Sequence, residues 1–571
     1  MPYTSPAADH LFLLNHVVGL DRVAATERFA EATPDLARAV LGEAAKLCDE
    51  VIAPLQRSGD MNPAFLENGV VRTSPGFGAA YREIAEGGWV GMSGDRDYGG
   101  MGLPLALTTA VNEMMSGACL SLQLNPLMTQ GQIDALEHHA SEEIKRLYLP
   151  RLISGEWAGT MNLTEPQAGS DVGALTSKAT PNGDGTYAIS GQKIYISWGD
   201  NDFTENVCHL VLARLPDGGP GTKGISLFLV PKRLPDASGK AGVANSLKVV
   251  SLEHKIGLHG SPTAVMQYDS ATGWLVGEPH DGMRAMFTMM NNARLGVGTQ
   301  GIGVAEAAFQ QALDYALDRK QGRTPIAGTG TIFDHADVRR MLMTMKAEVF
   351  AARAIALSNA IAIDLSRATG DEKATARAAL LTPIAKAYGT ETGMSVSNLG
   401  IQVHGGMGVI EETGAAQFFR DVRVTAIYEG TNGIQAMDLV GRKMADGGEA
   451  MFQLLDEIEA QAEGARNTLP ELAEPVWQAS ETLRETTESL VAEARMNARF
   501  SGAFPFLMCA ARVLGGHFHL AAALAEGQEG PRTGLARFFV ERLLPDHTGL
   551  AAQALASDQV LYALTPEDLV A

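Results

Sequence analysis

The segment AIYEGTNGIQ, Ala426 to Gln435, carries a single carboxylate, Glu429, between Tyr428 and Gly430 at the mouth of an apolar run. A carboxyl group set among apolar neighbours is a stronger base than one in water, because desolvation disfavours its charged form. The placement fits a general base that removes a weakly acidic proton. It fits equally an acid near a helix N-terminus, where the helix dipole favours negative charge. Gly430 allows close approach of the backbone to a ligand.

Two further stretches could hold a ligand. In TMNLTEPQAGSDVGAL, Thr160 to Leu175, a strand-like run ends in Thr-Glu-Pro and small residues lead to Ser170 and Asp171. Such a turn presents backbone N–H groups and hydroxyls, although an ordinary capped turn has the same composition. In QKIYISWG, Lys193, Tyr195 and Ser197 alternate along a strand. One face could then stack an aromatic ring on a planar ligand while a hydroxyl bonds its edge. Two other patterns read as structural. GVGTQG, Gly296 to Gly301, has dinucleotide-loop spacing but lies inside a helical pattern with no strand before it, so close helix packing is the expectation. The pair His138 and His139 fits no standard metal spacing and is expected on a solvated helix face.

The elements that must position these residues follow from hydrophobic period. From about residue 35 to 152 the pattern is helical, with a glycine-rich break in YGGMGLPLAL and a helix expected through TTAVNEMMSGACLSLQL. From about residue 156 to 274 short β-rich runs alternate with turn clusters, which predicts a compact, mostly antiparallel β-domain. Beyond Gly282 helices return, first a run of more than thirty residues without proline. A second helix is expected to start at Asp334 as N-cap, and a third to span KATARAALLTPIAKAYGTETGMSVSNLG. After the break ADGGEA, about four more helical patterns follow from near Met451.

The 571 residues exceed one core and allow three or four domains. The formal net charge of −21 argues against general nucleic-acid binding, because phosphates would be repelled. Four widely spaced cysteines read as free thiols in a reducing compartment. No basic, apolar leader and no apolar run of about 18 residues is evident, so a cytoplasmic protein without a membrane span is expected.

Taken in order, Thr-Glu-Pro-x-Ala-Gly-Ser-Asp, Lys-x-aromatic-Ile-Ser, IQVHGGMG (Ile401 to Gly408) and IYEGTNGIQ resemble the acyl-CoA dehydrogenase family, over about residues 37–443. The resemblance implies an α+β fold that is mainly α. Its parts are an arm at 1–34, an N-terminal helical domain at 35–157, a middle β-domain at 158–275 and a helical bundle with the catalytic Glu at 276–445. A helical domain at 451–571 is appended. It also implies FAD between β-domain and bundle. Expected cofactor contacts from the β-domain are Met161, Leu163, Thr164, Tyr195, Ile196 and Ser197. Among them Thr164 meets the flavin edge, Tyr195 stacks on the ring and Ser197 lies at N5. Arg319, Gln402, Gly405 and Gly406 resemble residues that hold the ADP half of FAD, often from a neighbouring subunit, and Thr431 matches another FAD contact. Substrate contacts are expected at Ser170, Arg294 and Gly430. Glu429 is the expected base, its backbone N–H helping to polarise the thioester carbonyl together with a flavin hydroxyl. Some relatives carry the base one residue before the arginine matched by Arg294; Ala293 stands there and cannot act.

The implied reaction is FAD-dependent α,β-dehydrogenation of a short acyl-CoA, in a homodimer that passes electrons to an electron-transfer flavoprotein. A general medium- or long-chain acyl-CoA dehydrogenase, an acyl-CoA oxidase and a non-catalytic flavoprotein are the alternatives, and an intact Glu429 argues against the last. Two departures stand out. Many relatives follow the arginine with Lys-Thr-Phe-Gly where this chain reads RKQGR (Arg319 to Arg323), and His259 stands where many carry arginine.

Overall fold

The structure, a computed structural model, describes residues 3–570. A helical N-terminal part contains the long helix α1 (Leu105–His139), and a shorter helix, Glu142–Ile153, leads from it to the β-domain. The first two free N–H groups of α1, at Leu105 and Ala106, donate to the Asp364 carboxylate at 2.7 and 2.9 Å, a cap supplied by a distant helix. Within α1 the backbone leaves helical geometry at Cys119 (φ −160°, ψ 96°). The expected helix is therefore present, longer than its periodicity showed and broken in the middle.

Seven strands form the main sheet of the β-domain, beside a small two-stranded ribbon (Arg233–Pro235 with Ala241–Ala244): β1 (Trp157–Asn162), β2 (Lys178–Pro181), β3 (Tyr187–Ser197), β4 (Asn206–Arg214), β5 (Ile225–Pro231), β6 (Leu247–Leu252) and β7 (Thr263–Val276). β7 pairs with β3, β5 and β6, while β2 links β3 to β4 and β4 pairs with β5, so the ladder closes on itself. Pairing is mostly antiparallel, with β1 running parallel to β4. Ile189, Val211, Phe228 and Tyr268 fill its own core.

The bundle comprises α2 (Gly282–Asp318), α3 (Ala336–Thr369), α4 (Glu372–His404) and the short α5 (Asn432–Asp438). GVGTQG lies in the middle of α2, where α4 crosses it. A Cβ on Gly298 would stand 2.7 Å from the Ala385 carbonyl oxygen, and one on Gly301 2.3 Å from that of Gly389. These glycines serve backbone contact between helices. Buried Arg353 on α3 binds Glu113 of α1 at 2.7 Å and Glu306 of α2 at 2.8 Å, tying three helices together. Asp334 does not cap α3, which begins at Ala336 with His335 before it. Its carboxylate instead accepts from Gly330 N at 2.8 Å, closing the preceding loop.

The appended block contains α6 (Glu449–Ala465), α7 (Pro470–Ala492), α8 (Met496–Ser501), α9 (Ala503–Glu526), α10 (Pro531–Arg542), α11 (Asp546–Ala554) and α12 (Pro566–Val570). Four of the seven are long, matching the four periodic patterns; the short ones carry too few turns to show a period. Apolar α9 lies against α3, where Arg512 donates to Glu348 at 2.6 Å and His519 Nε2 is 3.1 Å from the Ala347 carbonyl oxygen. Glu348 also accepts the Tyr388 hydroxyl from α4. α3 and α9 are long and apolar enough to cross a membrane, but 78% of each apolar window is buried in protein, as expected of core helices.

Candidate active site

Glu429 lies in the short turn before α5. Its backbone is left-handed (φ 57°), followed by Gly430 at φ 84°. A left-handed conformation at a residue with a Cβ is held only when surrounding contacts impose it. Here Gln435 of α5 donates from Nε2 to the carbonyl oxygens of Glu429 and Gly430, both at 3.2 Å. Thr431 caps α5, accepting from Ile434 N at 3.2 Å. On the other side the Tyr428 hydroxyl donates to Gln300 Oε1, and Gln300 donates on to Gln123 of α1 at 2.9 Å. Gln300 belongs to GVGTQG, so that stretch anchors the turn as well as packing helices.

Burial pushes the Glu429 carboxyl up to about 7, against the opposing pull of the Arg294 and Lys386 cations. Both cations are themselves buried. Arg294 of α2 pairs with Asp438 at 3.4 Å and with Asn291 Oδ1 at 3.3 Å, and its Nε has no partner among the described residues. Ala293 beside it packs with Leu127 and Met128 of α1 in a small apolar cluster apart from the main core. The structure thus presents a half-buried Glu429 whose carboxyl lies near neutrality, which suits removal of a weakly acidic proton.

The β-domain residues come together around a bulge. Thr263 opposes Ser197 and Ala264 opposes Ile196, yet Met266 opposes Lys193, so β3 carries one extra residue. Tyr195 sits in that bulge with φ 61° and is 62% exposed. The expected alternation of Lys193, Tyr195 and Ser197 on one face therefore fails, because a bulge shifts the side-chain period. Lys193 turns inward, fully buried, and donates to Glu165 Oε1 at 2.8 Å and to the Leu163 carbonyl at 3.0 Å. Glu165 also accepts from Thr176 N (2.7 Å) and Ser177 N (3.1 Å). Burial alone would raise its pKa; Lys193 and these donors hold it down to about 2. The Thr-Glu-Pro turn is thus built around a structural ion pair. It leaves Met161, Leu163 and Thr164 partly exposed and Ser170 exposed, with Ser197 partly exposed and Ile196 buried.

On the bundle surface Arg319, Gln402, Gly405 and Gly406 are all exposed. No atom lies within 4 Å of where a Cβ would stand on either glycine. Apolar Met407, Val409 and Ile410 are exposed beside them. His259 belongs to a charged cluster that borders this face through Glu411. Its Nδ1 is 2.8 Å from Asp60 Oδ1, and Asp60 also binds Arg420 at 2.6 Å and Arg57 at 3.0 Å. It is part of a clamp between the N-terminal part, the β-domain and the bundle. His138 and His139 bond to Asp134 and Thr288. The four cysteines are buried and unpaired.

The exposed Tyr195 ring, the open glycine edge and the exposed Arg319 and Gln402 side chains are of the kinds that suit a ligand with a planar ring and phosphates such as FAD. Three residues that shape the site were missed by sequence reasoning: Gln435, Gln300 and Lys386. Gln435 lies in the same motif as Glu429, six residues on and one helical turn beyond Thr431; the other two carry no local signal.

Four family models match successive parts of the chain: the acyl-CoA dehydrogenase N-terminal domain at 34–156, middle domain at 160–271 and C-terminal domain at 280–445, and the acetyl-CoA dehydrogenase C-terminal-like domain at 454–565. The chain is 43% identical to 3-methylmercaptopropionyl-CoA dehydrogenase of Ruegeria pomeroyi, over 95% of this chain and 94% of that one. It is 36% identical to the broad-specificity linear acyl-CoA dehydrogenase FadE5 of Mycobacterium tuberculosis, over 80% and 78%. Its fold is similar to that of Caenorhabditis elegans ACDH-11 in complex with C11-CoA, at 20% identity and TM-score 0.78, over 95% of this chain and 92% of that one. The chain belongs to the acyl-CoA dehydrogenase family and is an FAD-dependent dehydrogenase.

Proposed function

We propose that the enzyme dehydrogenates a short acyl-CoA thioester between Cα and Cβ, with 3-methylmercaptopropionyl-CoA as the main substrate and methylthioacryloyl-CoA as product, a step of dimethylsulfoniopropionate breakdown. What carries this reading is the 43% identity to an enzyme of that name over nearly the whole of both chains, joined to the half-buried Glu429 with its carboxyl near neutrality.

FAD, when bound, supplies the acceptor for the hydride from Cβ. Glu429 takes the proton from Cα. Burial raises its basicity, and the turn imposed by Gln435 and Thr431 fixes its direction. Its backbone N–H, in the left-handed turn before Gly430, polarises the thioester carbonyl and lowers the cost of charge on that oxygen. Gly430 leaves room for the thioester to approach. Arg294, with its unpartnered Nε, and Ser170, exposed on the Thr-Glu-Pro loop, are the substrate-side polar groups. Tyr195 stacks on the flavin ring, with Met161, Leu163, Thr164, Ile196, Ser197 and Thr431 around it. Arg319, Gln402, Gly405 and Gly406 hold the ADP half, contributed by the partner subunit of a homodimer. The exposed apolar residues beside them support an interface there. An electron-transfer flavoprotein is the proposed acceptor.

The test is Glu429→Gln, which keeps shape and removes basicity. The variant should bind FAD and substrate and show no flavin bleaching under anaerobic conditions. Retention of near-full reduction would place the base elsewhere.

A further inference from the structure

Lys386 on α4 is fully buried, and a buried ammonium is costly unless something requires it. Among the described residues Nζ makes one side-chain hydrogen bond, to Asn432 Oδ1 at 2.9 Å. Asn432 is the first residue of α5, three beyond Glu429, and it is held doubly to α4. Its Nδ2 donates to Thr390 Oγ1 at 3.0 Å and to Glu391 Oε1 at 2.8 Å. The turn bearing the base is thus pinned at its C-terminal end to α4, by Lys386 and, a turn further along that helix, by Thr390 and Glu391.

We propose that Lys386, acting with Asn432, is a positioning residue for proton abstraction: it seats the Glu429 turn on α4 and sets a cation behind the carboxylate. The proposal rests on Glu429 being the base. The charged groups facing this spot are few. Glu429 comes from the turn, Arg294 from α2 and Glu391 from α4 itself, while Arg294 is in turn balanced by Asp438, with Arg442 close by. Burial draws the Lys386 ammonium down to about 7, countered by Glu429. The carboxylate and the ammonium therefore stabilise each other: the form of Glu429 that can accept a proton is the form that favours charged Lys386. Removing the amine should leave Glu429 protonated to a higher pH.

Lys386→Met and Asn432→Ala are compared with Glu429→Gln by stopped-flow flavin reduction across pH, with flavin absorbance as the check on folding and cofactor content. Lys386→Met should reduce its flavin on the order of tenfold more slowly than wild type near pH 7, with the rising limb of the pH profile displaced upward, so that much of the deficit disappears at pH 9. Asn432→Ala, which frees the turn and leaves the amine, should lower the rate with less displacement of the profile. A purely structural defect would lower the Lys386→Met rate equally at every pH and would overturn the electrostatic part. A wild-type rate and profile in Lys386→Met, with Glu429→Gln inactive, would overturn the inference and leave the base assignment standing. An active Glu429→Gln would overturn the base assignment itself. If Lys386→Met fails to take up FAD, Asn432→Ala decides: an unchanged rate rejects the positioning role.

Discussion

Glu429 gathers two features that are costly alone: a left-handed backbone at a residue with a side chain, and a carboxyl whose pKa is raised by partial burial. Both suit the proposed role of a base that must be aimed and strong. The sign of the pH dependence follows. The group must be deprotonated to act and burial has raised its pKa to about 7, so kcat/KM for dehydrogenation should climb through that region and level off at higher pH. A profile already flat from pH 5 upward would mean the base is an ordinary solvated acid. Tyr195 carries a second residue-scale expectation. Its exposed ring in a strained bulge has no partner ring in the protein itself among the described residues. Stacking beyond area burial contributes about 0.5–1.5 kcal/mol. Tyr195→Ala should therefore weaken FAD binding roughly two- to tenfold or more, read by fluorescence titration of the apoprotein.

At the scale of elements, the crossing of α2 over α4 depends on glycine. Gly298→Ala would place a methyl 2.7 Å from the Ala385 carbonyl oxygen, backbone that cannot swing aside. Overpacking of this kind costs about 1–3 kcal/mol, so the thermal midpoint of the holoenzyme should fall; an unchanged midpoint would mean the helices can separate freely. The dinucleotide-like spacing in this stretch serves helix packing, and its helical context is legible in the sequence. Long elements were legible too: α2, α4 and the strands β3 to β5 follow from period and turn clusters. What failed did so where tertiary contacts override local pattern. The break at Cys119 and the cap of α1 by Asp364 are set by partners far away in sequence. The bulge at Tyr195 depends on β7, some seventy residues on. Asp334 had the right residue type for a cap and found a nearer backbone donor in Gly330. Lys386 could not be singled out, since nothing near it in sequence shows that α4 passes behind the turn of Glu429.

At the scale of the whole molecule, the appended helices are packed into the bundle. Arg512 and Glu348 form a buried pair across α9 and α3, with Tyr388 joined to it. Arg512→Ala would leave Glu348 without its cation, and breaking such a pair by one partner typically costs about 3–5 kcal/mol. That loss should lower the stability of the bundle as well as of the block, seen as one earlier unfolding transition in calorimetry; two separated transitions would show that the block folds apart. The exposed edge of Arg319, Gln402, Gly405 and Gly406 is expected to be completed by a second copy, so light scattering should find a dimer whenever FAD is fully bound. The acyl specificity belongs to this scale as well, because Glu429, Arg294 and Ser170, the proposed substrate-side groups, come from distant parts of the chain. A thioether is close in size and polarity to a methylene group, and pockets discriminate by only about 1–3 kcal/mol per methylene-sized difference. The most direct test of the account is therefore kcat/KM for 3-methylmercaptopropionyl-CoA set beside butyryl-, octanoyl- and palmitoyl-CoA under one set of conditions. The expected order places the sulfur substrate first, butyryl-CoA within roughly one to two decades of it, and palmitoyl-CoA last. An optimum at palmitoyl-CoA with no turnover of the sulfur substrate would contradict it.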